Sequence, residues 1–410
     1  MSCVNIYCTM SNLFLALKSK LLVPILIGIG GFLGIVHMEP KIAVPQPVAR
    51  QKIEIIDGPT RLTINPEQSR RIEIKTQIAT STAQETKEKV VSSKKKVVTI
   101  VKNEKIDPIL AHKLEILKKI ERGELLPQQE QNEKLRGAII NIFCTTKTDG
   151  DFKPLSGSGV VISDKGIVLT NAHIGQYFLL KNYQIKDFMT CIGRTGSPAT
   201  PLYTLELLYL PESWLKENAP KIKEQEPTGT GENDYAFLGI TGVIPMGATI
   251  PALFPHSIPE TEDIFIIGTP VLLAAYPAGF LGGIVLQRDL WLTSSASNIE
   301  KNYYFSTPRT TDLFSIKGNI LSQKGASGGA VTSLVSGNLL GIITTATDAK
   351  MTGDRELTAI TLPYIKTTFE KESGKKWTDF LETDVGTLVA NFNETMREKL
   401  TTLITEAINK

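Results

Sequence analysis

The chain is poor in cysteine and histidine, with four of each in 410 residues. Four cysteines make no disulfide scaffold, and no CxxC pair gives metal-ligand spacing; the chemistry read from the motifs below is expected to need neither a metal nor an organic cofactor. Charge of one sign is also scarce: 45 basic against 42 acidic residues leave +3, too near neutral to predict nucleic-acid binding. What is plentiful is apolar material. A hydrophobic share of 41% supports a real core and excludes wholesale disorder, and the length predicts about two compact units with connecting segments.

Lys18 and Lys20 precede the uncharged run Leu21 to Val36. A membrane span takes about 17–25 apolar residues, so this run is slightly short. Its Gly and Pro breaks and basic flank suit an export segment better than a buried core helix. The positive-inside rule puts Lys18 and Lys20 in the cytoplasm and everything after residue 40 outside. HMEPKIAV offers poor cleavage options, which favours an uncleaved signal anchor over a cleaved signal. No Cys directly follows the run, so a bacterial lipid anchor is not expected.

Residues 41–105 carry Pro, Ser, Thr, Gln and the basic run Lys94-Lys95-Lys96, and are read as a flexible stalk. A helical segment follows over 106–136. Asp107 is its N-cap, Pro108 its first position, and Leu110, Leu114, Leu117 and Ile120 form one stripe. His112 lies off that stripe and is expected to be exposed.

From Gly137 to 370 the texture is short β-rich runs with turn signals. The first series is AIINIFCTT, SGSGVVIS, GIVLTNA, FMTCIGR, YTLELLYL and YAFLGI. The second is DIFIIGTP, GIVLQRDLWLT, NYYFSTP, GNILS, GAVTSL, NLLGIITTAT and ELTAITL. Two such series predict an all-β fold of two barrels, over about 137–250 and 255–370. Residues 371–410 have spaced apolar positions and read as C-terminal amphipathic helix, one or two segments.

Three fragments carry chemistry: LTNAH ending at His173, NDYAFL with Asp234, and KGASGGA with Ser327. A serine hydroxyl needs a base within reach to act as a nucleophile. An imidazole can take that proton and return it to a leaving group. A carboxylate fixes the imidazole tautomer and stabilises the imidazolium. Glycines beside the serine allow a turn that aims two N–H groups at a developing oxyanion. Asp187 and Asp263 compete with Asp234. Only Asp234 is followed by an apolar strand, where a lone charge would be costly to bury. His256 sits in PHSIPE, a Pro-rich connection, and is read as a surface residue.

In this order, on these strands, the residues from about Gly137 to Phe369 resemble a trypsin-like serine peptidase of the chymotrypsin double-barrel fold. The bacterial exported branch, with its high-temperature-requirement peptidases, is the most similar. SGSGVVISDKGIVLTNAH, NDYAFL, and GASGGA followed by NLLGIITTAT carry the resemblance, and AYPAG (Ala275 to Gly279) resembles a turn of these bacterial proteins. The resemblance implies two six-stranded β-barrels, a His173–Asp234–Ser327 triad between them, and an oxyanion hole from the amides of Gly325 and Ser327. It implies that Leu321 lies near the base of the primary specificity pocket and that Thr344, Thr345 and Ala346 pair with substrate backbone. Nothing acidic stands at position 321, so the expected preference is a small or medium apolar side chain.

The departures are specific. Ala326 stands where digestive members carry Asp, the carboxylate that receives a newly cut N-terminus and builds the oxyanion hole, so no such activation is expected. Ile174 replaces the Cys beside the histidine, and Ala330 replaces a Pro. Cys3 and Cys8 precede the anchor; Cys144 and Cys191 fall in the exported domain. An oxidising compartment favours a Cys144–Cys191 disulfide, with two buried free thiols as the alternative. The expectation is a membrane-tethered serine endopeptidase acting on polypeptides, extracytoplasmic and held through residues 21–36. A catalytically silent binding or scaffold protein on the same fold is the alternative. The sequence leaves the oligomeric state open.

Overall fold

Turn residues cut the apolar sequence into short segments, and those segments pair into twelve strands among the described residues. The computed structural model describes residues 107–148, 152–224, 230–279, 283–305, 310–346 and 355–410. The expected anchor at 21–36, the stalk at 41–105, and Cys3 and Cys8 lie outside them. Among the described residues no helix is long and apolar enough to cross a membrane.

Strands β1 (Ile139–Thr146), β2 (Leu155–Val161), β3 (Ile167–Thr170), β4 (Met189–Thr195), β5 (Thr200–Tyr209) and β6 (Ala236–Val243) close into an antiparallel barrel in the order β1-β2-β3-β6-β5-β4. All six runs of the first series are strands. Strands β7 (Pro270–Ala275), β8 (Thr293–Tyr303), β9 (Leu313–Ile316), β10 (Ala330–Ser333), β11 (Leu339–Ala346) and β12 (Leu357–Thr361) close into a second barrel, β7-β8-β9-β12-β11-β10. The two orders are the same pattern repeated. Closure removes the free edges that would expose unpaired backbone.

The second series is less faithfully a list of strands. GIVLQR forms a short helix (Gly283–Arg288), and GNILS forms turns. Ile264, Phe265 and Ile266 of DIFIIG are buried in the second barrel without joining a strand. The run LFSI, not recognised in the sequence, is β9. An apolar run records burial, and a turn can be buried as well as a strand.

Cys144 and Cys191 are direct register partners across β1 and β4 and form a disulfide. It joins the two strands within the first barrel.

Helix α1 (Pro108–Glu121) is capped as expected, with Asp107 Oδ1 accepting from Ile109 N over 2.9 Å. Its buried face differs from the expected stripe. Ile116 enters the second barrel's core with Leu117 and Ile120 beside it, whereas Leu110 and Leu114 stay exposed. Burial of Ile116 against the second barrel fixes this rotation, and on the same helix His112 bonds Glu262 at 2.7 Å and Lys113 pairs with Asp263 at 3.7 Å. His112 is therefore half-buried and paired, not simply exposed. Helix α2 (Gln128–Ala138) leads into β1 and buries Leu135 and Ala138.

The C-terminal residues form four helices: α6 (Leu362–Ser373), α7 (Trp377–Glu382), α8 (Val385–Thr395) and α9 (Arg397–Asn409), numbered after three short ones, Ala172–Gly175, Glu212–Asn218 and Gly283–Arg288. Phe369, Trp377 and Phe380 surround Phe237 of β6 at ring distances of 5.4, 5.8 and 5.0 Å. Leu400, Ile404 and Ile408 of α9 join the first barrel's core with Phe178, Leu179 and Leu215. The apolar face predicted for this tail thus closes the outside of the first barrel.

Candidate active site

His173 sits on the four-residue helix Ala172–Gly175, which begins where β3 ends. Asn171 precedes it, fully buried, and its Nδ2 donates to the Asp234 carbonyl at 2.8 Å. The histidine turn is thereby tied to the aspartate segment before either side chain is considered.

Asp234 lies at the entry to β6. Asn233, just before it, has φ of 54°, a left-handed backbone that Asn tolerates better than most residues. Tyr364 holds that turn: its hydroxyl donates to Asn233 Oδ1 at 3.0 Å and accepts from Asn233 N at 3.3 Å.

Every strong partner of the Asp234 carboxylate belongs to the site. Oδ1 accepts the His173 backbone N–H at 2.9 Å, and Oδ2 accepts His173 Nδ1 at 2.8 Å and Thr344 Oγ1 at 2.9 Å. A carboxylate only accepts, so Nδ1 carries a ring proton, and in the neutral imidazole Nε2 keeps its lone pair. The Asp234 side chain is 8% exposed and that of His173 30%. Asp187 and Asp263 are placed elsewhere, the first on a positive-φ turn and the second beside Lys113. His256 is exposed, its Nδ1 against the Phe254 carbonyl at 3.0 Å.

The electrostatics follow from this burial and pairing. Desolvation works against the imidazolium of His173, but the Asp234 charge and hydrogen bond outweigh it and raise the pKa above the ordinary 6.5. Desolvation likewise works against the Asp234 carboxylate, and His173 together with the Thr344 bond overcomes it and holds the pKa below the ordinary 3.8.

Ser327 lies in the loop from β9 to β10, on the second barrel. Its Oγ donates to the Thr344 carbonyl at 3.4 Å, a long bond, rather than to His173. No hydrogen bond joins Ser327 Oγ to the His173 ring among the described residues. Thr344 links the three residues, through its hydroxyl to Asp234 and its carbonyl to Ser327.

The serine loop has a selective hydrogen-bond pattern. Ala326 N, Gly328 N and Gly329 N donate to Gln323 O, Ile343 O and Ala326 O at 3.3, 2.8 and 2.9 Å. Gly325 N–H and Ser327 N–H have no acceptor among the described residues. These two amides are the donors anticipated for the oxyanion. The loop needs its glycines. Gly328 has φ of +79°, and a Cβ there would meet Ser158 O at 2.0 Å.

Leu321 is fully buried and packs with Ala326, Ile343 and Leu357 inside the second barrel. Thr345 and Ala346 are on β11, opposite Thr358 and Leu357 of β12. Sequence reasoning missed the Thr344 hydroxyl on Asp234 and the Tyr364 clamp on Asn233. Asn171 was visible in TNAH, but only as context. Thr344 and Tyr364 have no motif, because one reaches Asp234 and the other Asn233 across more than a hundred residues. Among the described residues no group of His, Cys, Asp or Glu could hold a metal ion.

No family model matches this sequence, and no curated protein matches it. Among solved structures, the Rv3671c protease from M. tuberculosis in its active form is similar at 17% identity and a TM-score of 0.37, over 59% of this chain and 83% of that one. An HtrA-type protease, AlgW, with a tripeptide is similar at 18% identity and a TM-score of 0.38, over 61% of this chain and 65% of that one, just under two thirds of its length. By its own strand order, this chain has the paired six-stranded barrels of the trypsin-like serine peptidase fold.

Proposed function

We propose that this protein is a serine endopeptidase that cleaves polypeptides through an acyl-enzyme on Ser327. The observation that carries the reading is the Asp234–His173 pair, oriented by 2.8 and 2.9 Å bonds with its Nε2 lone pair free to act as a base. Ser327 Oγ turns from the Thr344 carbonyl to the imidazole and attacks the substrate carbonyl. Its proton passes to His173 Nε2, and the new oxyanion is met by Gly325 N–H and Ser327 N–H. His173 then gives that proton to the leaving amine. A water repeats the sequence and frees the acid. Asp234 stays ionised throughout and stabilises the imidazolium.

The substrate strand pairs with the backbone of 344–346, and Leu321, which the family resemblance puts near the base of the specificity pocket and which is buried among apolar side chains, supports a preference for a small or medium apolar side chain at the cleaved position. The peptidase domain works outside the cytoplasm, tethered through residues 21–36. The disulfide in the first barrel supports an oxidising compartment.

The test is labelling by a fluorophosphonate probe together with peptide-library cleavage, with Ser327→Ala as the blank. Label on Ser327 and cleavage absent from the blank are expected. A folded wild-type protein that takes no label would instead make the chain a silent binding module.

A further inference from the structure

Ala326 leaves this protein without the carboxylate that draws the oxyanion loop into shape in digestive relatives, which raises the question of what holds the loop. The answer lies across the barrel boundary. Ser158, on β2 of the first barrel, is fully buried. Its Oγ donates to Gly325 O at 2.8 Å and accepts from Tyr276 N at 2.9 Å. Its backbone N–H donates to Ser327 O at 2.8 Å, and its own carbonyl accepts from Thr170 Oγ1 at 2.7 Å. One residue thus holds the carbonyls of both residues whose amides stay free.

The turn Tyr276–Gly279, part of the AYPAG motif, completes the frame. Ala278 N donates to Lys324 O at 2.7 Å. In a trans peptide the carbonyl and the next N–H point in opposite directions. Holding Lys324 O on Ala278 therefore aims Gly325 N–H away from it. Holding Ala326 O on Gly329 N does the same for Ser327 N–H. Gly325 fits only because it lacks a Cβ: with φ of +89°, an added Cβ would lie 2.7 Å from both Ala278 Cβ and Tyr276 O.

We propose that Ser158 is a positioning residue: by holding Gly325 O and Ser327 O it fixes the peptide that follows each of these residues, and with the Tyr276–Gly279 turn, which holds Lys324 O, it keeps the oxyanion-hole amides of Gly325 and Ser327 aimed without any activating cleavage. Its hydroxyl is the middle of a chain Tyr276 N–H to Ser158 Oγ–H to Gly325 O. Its loss leaves a buried N–H and a buried C=O unpaired, and the loop relaxes to repair them. The inference rests on the serine-peptidase reading above.

The experiment measures the rate of fluorophosphonate labelling at Ser327 per titrated active site, over a range of pH, in wild type and Ser158→Ala. Removing one oxyanion donor costs about 10²–10³ in rate; loosening the loop that aims them is expected to slow labelling by roughly 10–100-fold. The pH midpoint should not move, because the His173–Asp234 pair is untouched. A structural role alone would lower the number of active sites or the melting temperature and leave the rate per site as it was. Ser158→Gly, which leaves room for a water, is read the same way should Ser158→Ala not fold. A rate per site within twofold of wild type, a shifted midpoint, or loss of fold in both variants overturns the proposal. If wild-type protein itself takes no label, the peptidase reading fails instead.

Discussion

Tyr364 and Asn233 bond each other twice, hydroxyl to amide oxygen and amide N–H to hydroxyl, at 3.0 and 3.3 Å. The pair fixes a left-handed turn one residue before Asp234 and joins α6 to the aspartate that orients His173. Tyr364→Phe removes both bonds. Each is worth about 0.5–1.5 kcal/mol, so kcat is expected to fall roughly tenfold with KM within about twofold. Steady-state kinetics on a cleaved library peptide check this; an unchanged kcat would show that the turn holds without the phenol.

Asp234→Asn keeps the shape of the carboxylate but offers an amide where Nδ1 must donate. By the tautomer argument kcat should drop about 10⁴-fold. Circular dichroism separates this from unfolding.

The base must be neutral to act, and Asp234 raises the His173 pKa above 6.5. Activity should therefore be weak in mild acid and appear as pH rises through a midpoint above that value. In Asp234→Asn the charge is gone, and the midpoint of residual activity should move down. A rate–pH profile that is flat from mildly acidic to neutral pH would contradict the assignment of His173 as the base.

The disulfide closes a loop of 47 residues between adjacent strands. Cross-linking the unfolded chain over that length is worth about 4 kcal/mol by loop entropy, and measured effects run about 2–4. Cys144→Ser with Cys191→Ser should lower unfolding free energy by that order in a denaturant titration. Catalytic rates at low temperature should change little, since neither cysteine touches His173, Asp234 or Ser327.

Ile404 on α9 is fully buried against the first barrel. Ile404→Ala should cost about 2–5 kcal/mol, a core-sized loss. A surface-sized effect in urea unfolding would mean the tail is an appendage rather than part of the domain.

The local chemistry of this protein was readable in one dimension. Turn residues and β-branched runs marked the first barrel strand by strand, because each run had to alternate between turn and buried ladder. LTNAH, NDYAFL and GASGGA named three candidate site residues because strand ends and a glycine-rich turn are local demands. The tertiary structure alone decided the rest. It rotated α1 so that Ile116 enters the second barrel's core, with His112 and Lys113 meeting Glu262 and Asp263. It made GIVLQR a helix inside a β-rich series. It brought Thr344 and Tyr364 to the aspartate segment, and Ser158 to the serine loop. Such contacts join residues more than a hundred positions apart. Their energy depends on a hydroxyl reaching a particular oxygen to within a few tenths of an ångström, and sequence order alone carries no trace of that distance.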